Sequence, residues 1–311
     1  MSERYFDGPS VFHLGYIKSA TTYLQNEIFA PEHFGCALAA GADNRAHLVD
    51  WFITSDGFAF DGAAVDAQIT ALEDPLRRRG LVPIWSEETL LGDPTKRQYN
   101  GPDTLQRIAA LKRPTKVILS IREQRAMALS IFREFIKQGG SHSLRQLIGT
   151  GAEARSFTPI LRPDFLMFDR AAAWCTDRFG AENVLLLPLE ALTADRAAYF
   201  ERLFGFLGLP PQEVTAQQAA NVGLGARAQG LRRMLNRLDV RDPLTAQPSL
   251  YRRGVGRLTR LVDRTVPKAA HRSVESAWRA QIDTRYADMF HDSNQRLQQI
   301  AQLDLSKYGY Q

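Results

Sequence analysis

Four short apolar runs punctuate the first two thirds of the chain. Each run has four to six residues with few polar side chains, the length and pattern of a strand that is buried on both faces of a sheet. Segments with apolar residues at helical spacing lie between them. This alternation predicts an α/β fold in which a mostly parallel sheet is flanked by helices. The predicted strands cover residues 11–14, 82–85, 116–121 and 183–187.

From about residue 209 onward the pattern changes to a helical one. Three helices are predicted there, over residues 226–238, 270–281 and 285–303, with a stretch punctuated by Pro and Gly over 242–256. We find no internal repeat and no low-complexity linker. A chain of 311 residues without such a boundary is expected to form a single domain. Residues 1–209 would be its α/β core and residues 210–311 a helical extension of that domain.

The first predicted strand is followed by a phosphate-binding pattern. The sequence after the strand reads Gly15-Tyr-Ile-Lys18-Ser19-Ala20-Thr21-Thr22. The glycine turns the chain, and the lysine and hydroxyls open a helix whose free N–H groups and dipole favour an anion. A lysine at an ordinary helix N-terminus is the alternative interpretation. The usual nucleoside-triphosphate loop has four residues between two glycines before its lysine, whereas only Tyr16 and Ile17 separate Gly15 from Lys18.

A second candidate anion site follows the third predicted strand. Arg122 lies where that strand stops, and Ser130 lies eight residues further on, about two turns into the next predicted helix. An arginine fork and a hydroxyl are suited to a terminal phosphate monoester. Taken singly, each residue is also consistent with an ordinary exposed position. Two phosphate-binding patterns in this order are much less expected by chance than either pattern alone.

These patterns resemble the sulfotransferases that use 3′-phosphoadenosine 5′-phosphosulfate (PAPS). The order Gly-x-x-Lys-Ser-x-Thr-Thr is similar to their 5′-phosphosulfate loop, and Arg122 with Ser130 resembles their 3′-phosphate site. Further similarity covers residues 179–192, 200–209, 286–297 and 304–310. The resemblance implies a P-loop-like fold, PAPS as the donor, 3′,5′-adenosine bisphosphate (PAP) as a product and no required metal. It also implies that Lys18 neutralises the leaving phosphate and that residues 19–22 hold it.

Ala20 departs from this resemblance, because many members of the family carry glycine at that position. Alanine tolerates right-handed helical angles well, and the loop is then unaffected. A positive φ at this position would instead weaken the donor site.

The second predicted strand ends in Ser86-Glu87-Glu88, which supplies the candidate base. Transfer to a hydroxyl or amine needs a group that accepts the acceptor proton, and a partly buried carboxylate can do so. Adjacent residues on an extended strand point oppositely, so one of the two is expected to reach the acceptor. The resemblance to bacterial members favours Glu88. Capping of the next turn is the alternative for either residue, and His13 is a rival base that fits a hydrogen-bonded core position better.

Composition adds a net charge of +5, which suits an anionic donor and does not by itself indicate nucleic-acid binding. The two cysteines, Cys36 and Cys175, have neither disulfide nor metal spacing. The first residues lack a signal pattern and no apolar run is long enough to span a membrane, so a bacterial cytoplasmic location is expected. The arginine clusters at 77–79, 232–233 and 252–253 are interpreted as solvated helix faces.

The acceptor is expected to be a glycan or a small molecule with a free hydroxyl or amine. Segments expected to shape its pocket are residues 36–61, 89–102 and 138–163. They carry the aromatic residues Trp51, Phe52, Phe58, Phe60, Tyr99 and Phe157, which could equally be satellite core. Two other functions stay open: a nucleotide-dependent kinase with a variant phosphate loop, and a non-catalytic nucleotide- or glycan-binding relative.

Overall fold

The computed structural model describes residues 5–215, 223–239 and 250–311 of the chain. Five parallel strands form its sheet, in the order β2-β3-β1-β4-β5. Their bounds are Ser10–His13 (β1), Cys36–Leu38 (β2), Val82–Ser86 (β3), Thr115–Ile121 (β4) and Val184–Pro188 (β5). Helices cover both faces of this sheet, so the predicted α/β class is confirmed.

Thirteen α-helices lie in the described ranges. Those that follow the α/β pattern are α1 (Thr21–Tyr23), α2 (Asn44–Val49), α3 (Gly62–Arg78), α4 (Gly101–Ala110), α5 (Gln124–Lys137), α6 (Leu144–Ile148), α7 (Phe168–Phe179), α8 (Leu189–Ala194) and α9 (Arg196–Leu207). The helical extension contains α10 (Ala226–Leu235), α11 (Leu250–Thr265), α12 (Lys268–Tyr286) and α13 (His291–Ala301). Short π and 3-10 segments continue several of them, including Leu24–Phe29 and Glu88–Leu91.

Strand β1 occupies the centre of the sheet. Its residue His13 is level with Ser86 on β3 and with Ile118 on β4. The chain first adds β2 and β3 on one side of β1 and then crosses to add β4 and β5 on the other. Open parallel sheets bind ligands at the carboxyl ends of their strands, where the direction of winding switches. The end of β1, which carries the candidate phosphate loop, is such a position.

Side chains that alternate along the strands build a core on each face of the sheet. Phe12, Trp85 and Val117 point toward the face covered by α2 to α7 together with α12 and α13. Val11 and Ile118 point toward the other face, where the Leu24–Phe29 segment and α9 pack. Both faces are closed to water, which is why the strand sequences are almost continuously apolar.

The four predicted strands all form, within one or two residues of their predicted ends. The prediction missed β2, which has three residues at the edge of the sheet and is too short to show a period. Cys36 and Cys175 are both buried thiols with no disulfide. No helix within the described residues is long and apolar enough to cross a bilayer.

The helical extension differs from its prediction in two places. Residues 242–249 of the predicted punctuated stretch lie outside the described ranges, but from Leu250 the chain is helical through Gly254 and Gly256. Packing of Val255 and Thr259, which are buried, overrides the low helix propensity of those glycines. The predicted break at 281–285 lies instead at residues 287–290, because no Gly or Pro marks the boundary in the sequence.

A candidate phosphate-binding and transfer site

The predicted site residues follow the carboxyl ends of three neighbouring strands. Gly15 follows β1, Glu87 follows β3 and Arg122 follows β4. The order β3-β1-β4 places these three ends side by side at one edge of the sheet. The Tyr16 amide donates to the Ser120 carbonyl at 2.8 Å, which carries the pairing of β1 with β4 into the phosphate loop. The structure therefore brings together the segments that the sequence placed up to 107 positions apart.

The candidate phosphate loop has an unusual backbone. Lys18 and Ala20 both have φ of +67°, in the left-handed region. The α-helix therefore begins at Thr21 and not at Lys18, which corrects the predicted start. A non-glycine residue in this region costs about 1–2 kcal/mol. Of the two possibilities raised for Ala20, the structure shows the positive φ, so the alanine strains a position that a glycine would occupy freely.

Gly15 is required where it stands. Its φ is +29°, and a Cβ atom on it would lie 2.4 Å from Cγ2 of Thr21 and 3.4 Å from Nε2 of His13. Any side chain here would push the loop away from the sheet. The glycine in the motif is thus needed to let the loop fold back over the end of β1.

The amide groups of the loop precede the first intrahelical hydrogen bond. The first intrahelical bond that closes on the loop runs from the Leu24 amide to the Ala20 carbonyl at 3.1 Å, so the amides just before it belong to the unpaired first turn. The Ser19 hydroxyl is buried and donates to the Tyr16 carbonyl, which fixes the loop. Thr21 is also buried, whereas Thr22 is exposed. Among the three hydroxyl residues predicted in the loop, only Thr22 is therefore exposed to solvent.

Lys18 is held by a carboxylate that the sequence did not reveal. Its Nζ lies 3.2 Å from Oε2 of Glu134 on α5. Burial raises the pKa of Glu134, but the positive charges of Lys18 and Lys137 outweigh it and leave that pKa below its usual value. Glu134 is therefore ionised near neutral pH and balances Lys18. Ser130 lies one turn earlier on the same helix, which gives it the same side of α5.

Arg122 is half-buried beside the loop. Its Nη1 donates to the Lys18 carbonyl at 3.4 Å, and its Nε is buried without a hydrogen-bond partner. Burial lowers the pKa of this guanidinium, and the nearby charges of Glu190 and Glu123 oppose that effect. An arginine side chain keeps its proton in proteins. The side chain thus presents a permanent positive charge with donor capacity to spare, next to the lysine of the loop.

Glu190 and Tyr310 influence the charge of this arginine and bond to each other. One carboxylate oxygen of Glu190 accepts from the Glu123 amide at 3.1 Å and the other accepts from the Tyr310 hydroxyl at 3.1 Å. The end of the chain is thereby tied to the start of α5. Both residues belong to segments that resembled sulfotransferases, but their contact depends on a separation of 120 positions.

A series of buried hydrogen bonds crosses the three central strands beneath the loop. Nδ1 of His13 lies 2.8 Å from the Ser86 hydroxyl, and its Nε2 lies 2.8 Å from the Ser120 hydroxyl. Burial lowers the pKa of His13 to about 3, so the ring is neutral. The predicted core role of this histidine is confirmed. Gln25 extends this series of hydrogen bonds, because its Nε2 donates to the Ser86 hydroxyl at 3.1 Å and to Oε2 of Glu88 at 3.2 Å.

The two candidate bases have different environments. Glu87 is only 1% exposed, and it accepts from the Thr89 amide and hydroxyl and pairs with Nε of Arg45 at 3.2 Å. Burial and the neighbouring charge of Glu88 raise the pKa of Glu87. Glu88 is half-buried and receives the Gln25 amide at 3.2 Å. Of the pair, Glu87 is engaged as the cap of the next turn and Glu88 is the one that solvent or a substrate can reach.

A cavity of about 400 Å³ opens next to the loop. Its lining includes Tyr16 of the loop, Leu91 at the end of the helical turn that begins with Glu88, and the aromatic residues Tyr99, Phe165 and Trp174. Arg170 and the ion pair of Arg162 with Asp164 also line it. Tyr99 and part of two predicted acceptor segments thus line a pocket, whereas Trp51 and Phe52 are core and Phe58 is fully exposed.

Glu134, Gln25 and Arg45 were missed by sequence reasoning. Glu134 could have been suspected from its spacing of four from Ser130, but nothing in the sequence pairs it with Lys18. Among the described residues, no group of three or more His, Cys, Asp or Glu side chains could hold a metal ion.

The chain is similar in structure to three solved sulfotransferases. A sulfotransferase from Alicyclobacillus acidocaldarius has a TM-score of 0.48 and 18% identity over 69% of this chain and 86% of its own. The sulfotransferase domain of the Synechococcus olefin synthase has a TM-score of 0.40 and 15% identity over 86% and 99%. That of the curacin biosynthetic pathway has a TM-score of 0.40 and 13% identity over 81% and 98%.

No protein-family profile and no curated protein sequence matches the chain. The three neighbours carry the name of the family that the sequence motifs resemble, but identities of 13–18% are too low to transfer an activity. The function is therefore inferred from the residues of the site.

The neutral state of His13 predicts a pH dependence of stability. Its pKa is about 3 when folded and 6.5 when free, so below pH 6.5 the unfolded chain binds a proton that the folded chain does not. The free energy of unfolding should then fall by up to about 1.4 kcal/mol per pH unit as the pH is lowered from 6.5 toward 3. Urea unfolding of the wild type and His13→Gln between pH 7 and 5 measures the difference in slope. The exposed His33→Gln should keep the wild-type slope, and parallel wild-type and His13→Gln profiles would contradict the assignment.

The left-handed Ala20 predicts that glycine stabilises the loop. Ala20→Gly removes about 1–2 kcal/mol of backbone strain from the folded state. Glycine also raises the entropy of the unfolded chain, which lowers stability by about 0.4–1 kcal/mol. The free energy of unfolding should therefore rise by about 0.5–1 kcal/mol. Ala67→Gly, at an exposed position within α3, should instead lose about 1 kcal/mol. Chemical denaturation of the two variants measures both values. A loss of similar size in both would contradict the left-handed conformation of Ala20.

Proposed function

We propose that this protein is a sulfotransferase that moves a sulfuryl group from PAPS to a hydroxyl or amine of a small-molecule or glycan acceptor. The observation that carries this proposal is the half-buried Arg122, whose buried Nε has no partner, beside a strained loop with Lys18 and unpaired amides. Two separate cationic groups on adjacent strand ends suit a ligand with an anionic group at each end of a nucleoside. A single phosphate would need only the loop.

In this proposal the loop binds one end of the donor, and the end of β4 together with α5 binds the other. The amides of residues 19–22 and the Thr22 hydroxyl hold the 5′-phosphosulfate, and Arg122 with Ser130 holds the 3′-phosphate. The donor competes with Glu134 for the ammonium of Lys18, which lies 3.2 Å from that carboxylate without it. Because Glu134 is ionised, it keeps Lys18 extended toward α5 until an anion of higher charge arrives.

Transfer requires a base, and the accessible carboxylate of Glu88 is assigned this role. The acceptor oxygen or nitrogen forms a bond to sulfur while the bond from sulfur to the bridging oxygen of the 5′-phosphate breaks. Glu88 receives the acceptor proton, and PAP leaves with the bond electrons. Lys18 neutralises the charge on the bridging oxygen. Gln25 orients the Glu88 carboxylate through its 3.2 Å bond, and that amide is itself fixed by Ser86.

The cavity beside the loop is the proposed acceptor pocket. Tyr16 of the loop and Leu91, the last residue of the helical turn that begins with Glu88, both line it. Tyr99, Phe165 and Trp174 offer aromatic faces that stack on a sugar ring or another flat apolar body. The guanidinium of Arg162 is paired with Asp164 and stacks 4.8 Å from the Tyr99 ring centroid, which stiffens this wall.

The roles of the two adjacent carboxylates are separable. Glu88→Gln should lower the turnover rate by about 10²–10⁴-fold with little change in stability, because it removes the base. Glu87→Gln should mainly lower the melting temperature, since the buried carboxylate caps a turn and pairs with Arg45. Steady-state rates with radiolabelled PAPS and thermal unfolding of both variants measure this. A Glu88→Gln enzyme of wild-type rate would remove Glu88 from the mechanism.

Calorimetric titration with PAP tests the function itself. We expect micromolar binding that weakens about 10–100-fold in Arg122→Ala, because a charge-assisted contact to phosphate is worth about 1.5–3 kcal/mol. The exposed Arg145→Ala is the matched control and should bind as the wild type does. ATP with magnesium is titrated in parallel. Binding of ATP with magnesium and none of PAP would overturn the proposal in favour of a kinase, and PAP binding without transfer to any acceptor would favour a non-catalytic relative.

A further inference from the structure

Exposed apolar side chains concentrate on one part of the helical extension. Nine large hydrophobic residues are exposed within the described ranges, and six of them lie between residues 234 and 261. These six are Met234, Leu238, Leu250, Tyr251, Leu258 and Leu261. The Tyr251 hydroxyl donates to the Leu235 carbonyl at 2.8 Å, which joins the start of α11 to the end of α10. The six residues therefore belong to one surface, here called the α10–α11 surface.

Helix α11 presents two parallel stripes to solvent. Val255 and Thr259 are buried and define the face that packs on the protein. One exposed stripe consists of Arg253, Arg257, Arg260 and Arg264, which are spaced i, i+4, i+7 and i+11. The neighbouring stripe contains Leu250, Leu258 and Leu261. At 3.6 residues per turn these stripes lie side by side along the 16-residue helix.

The positive charge extends across a cleft to α10. The cleft has a volume of about 560 Å³ and is lined by Arg232, Arg252, Arg253, Gly256, Arg257 and Arg260. Burial lowers the pKa of Arg232, and the charges of Arg252 and Arg260 lower it further. Within the described residues, Arg253, Arg257 and Arg260 form no ion pair with a carboxylate. Asp263, the acidic residue of α11, faces His271 and accepts from the Gly225 amide.

An arginine stripe beside a leucine stripe is the pattern of a helix that lies in a membrane interface. Arginines bind anionic headgroups while leucines enter the boundary of the acyl chains, and both contacts need the helix parallel to the surface. The occupant has to supply negative charge to the arginines, and the same surface of a second copy would add positive charge instead. We propose that the α10–α11 surface docks the protein on anionic phospholipid bilayers.

The α10–α11 surface is linked to the candidate site by charge and by packing. Glu134, which pairs with Lys18, contributes to the electrostatic environment of Arg232 in the cleft. Helix α10 also packs on α5, the helix that carries Ser130 and Glu134. The proposal does not depend on the reaction that the site performs.

Vesicle co-sedimentation tests the proposal. The full chain is mixed with vesicles of phosphatidylcholine alone or of phosphatidylcholine with phosphatidylglycerol, and the bound fraction is measured at low and high NaCl. We expect binding to the anionic vesicles only, weakened by salt. Arg257→Gln/Arg260→Gln should weaken it roughly 25-fold, since each arginine near such a surface contributes about 1 kcal/mol. Leu258→Asn/Leu261→Asn should weaken it at least about tenfold.

Two variants at other exposed positions serve as matched controls. Arg145→Gln/Arg155→Gln removes the same charge from exposed positions elsewhere, and Phe58→Asn removes an exposed apolar side chain elsewhere. Both should bind vesicles as the wild type does, with unchanged melting temperatures in all variants because every replaced side chain is exposed. Equal binding to neutral and anionic vesicles, or equal loss in the control pair, would overturn the proposal. Binding to a soluble polyanion such as heparin, with no binding to vesicles, would also overturn the proposal. So would self-association that the leucine variant abolishes, if the wild type does not bind vesicles.

Discussion

The candidate site depends on one buried histidine. His13 is shared between the hydroxyls of Ser86 and Ser120, and it thereby ties the ends of the three central strands together. The phosphate loop folds back directly over this ring, and only a glycine at position 15 leaves room for it. Because the ring is neutral and uses both nitrogens, it holds the strand ends without placing a charge under the candidate phosphate loop. These hydrogen bonds hold the three strand ends in place. The loop, Arg122 and the two carboxylates start from those strand ends.

The loop above His13 has a strained backbone and lies beside a polar group that lacks a hydrogen-bond partner. Two non-glycine residues adopt left-handed conformations, and Arg122 lies beside them with its buried Nε unpaired. Strained backbone persists where the surroundings over-determine it, which is common at sites that bind ligands. Here the surroundings are the Ser19 hydroxyl bond within the loop, the ion pair of Lys18 with Glu134 and the contact of Arg122 with the Lys18 carbonyl. Each is a bond that an anion could share or displace.

Charge links the site to the helical extension. Glu134 interacts with Lys18 on one side and influences Arg232 on the other, so one carboxylate stands between the loop and the arginine cleft. The surface arginines that the sequence suggested were ordinary solvated positions are, in part, neighbours in a single cleft. Helices α10 and α11 are joined by packing and not by a continuous sequence motif, which is why clusters at 232–233 and 252–253 could not be combined beforehand.

The sequence alone determined the α/β class, four of the five strands, and the identity of the glycine, lysine and arginine at strand ends, because apolar runs and turn residues are local signals. It could not determine β2, which is too short to show a period, or the start of α11, where packing overrides glycine propensity. It also could not decide between Glu87 and Glu88. Their difference arises from Thr89, Arg45 and Gln25, and the last two reach them from distant segments. Only the tertiary structure sets such contacts, because burial and charge at a side chain depend on residues that are far away along the chain.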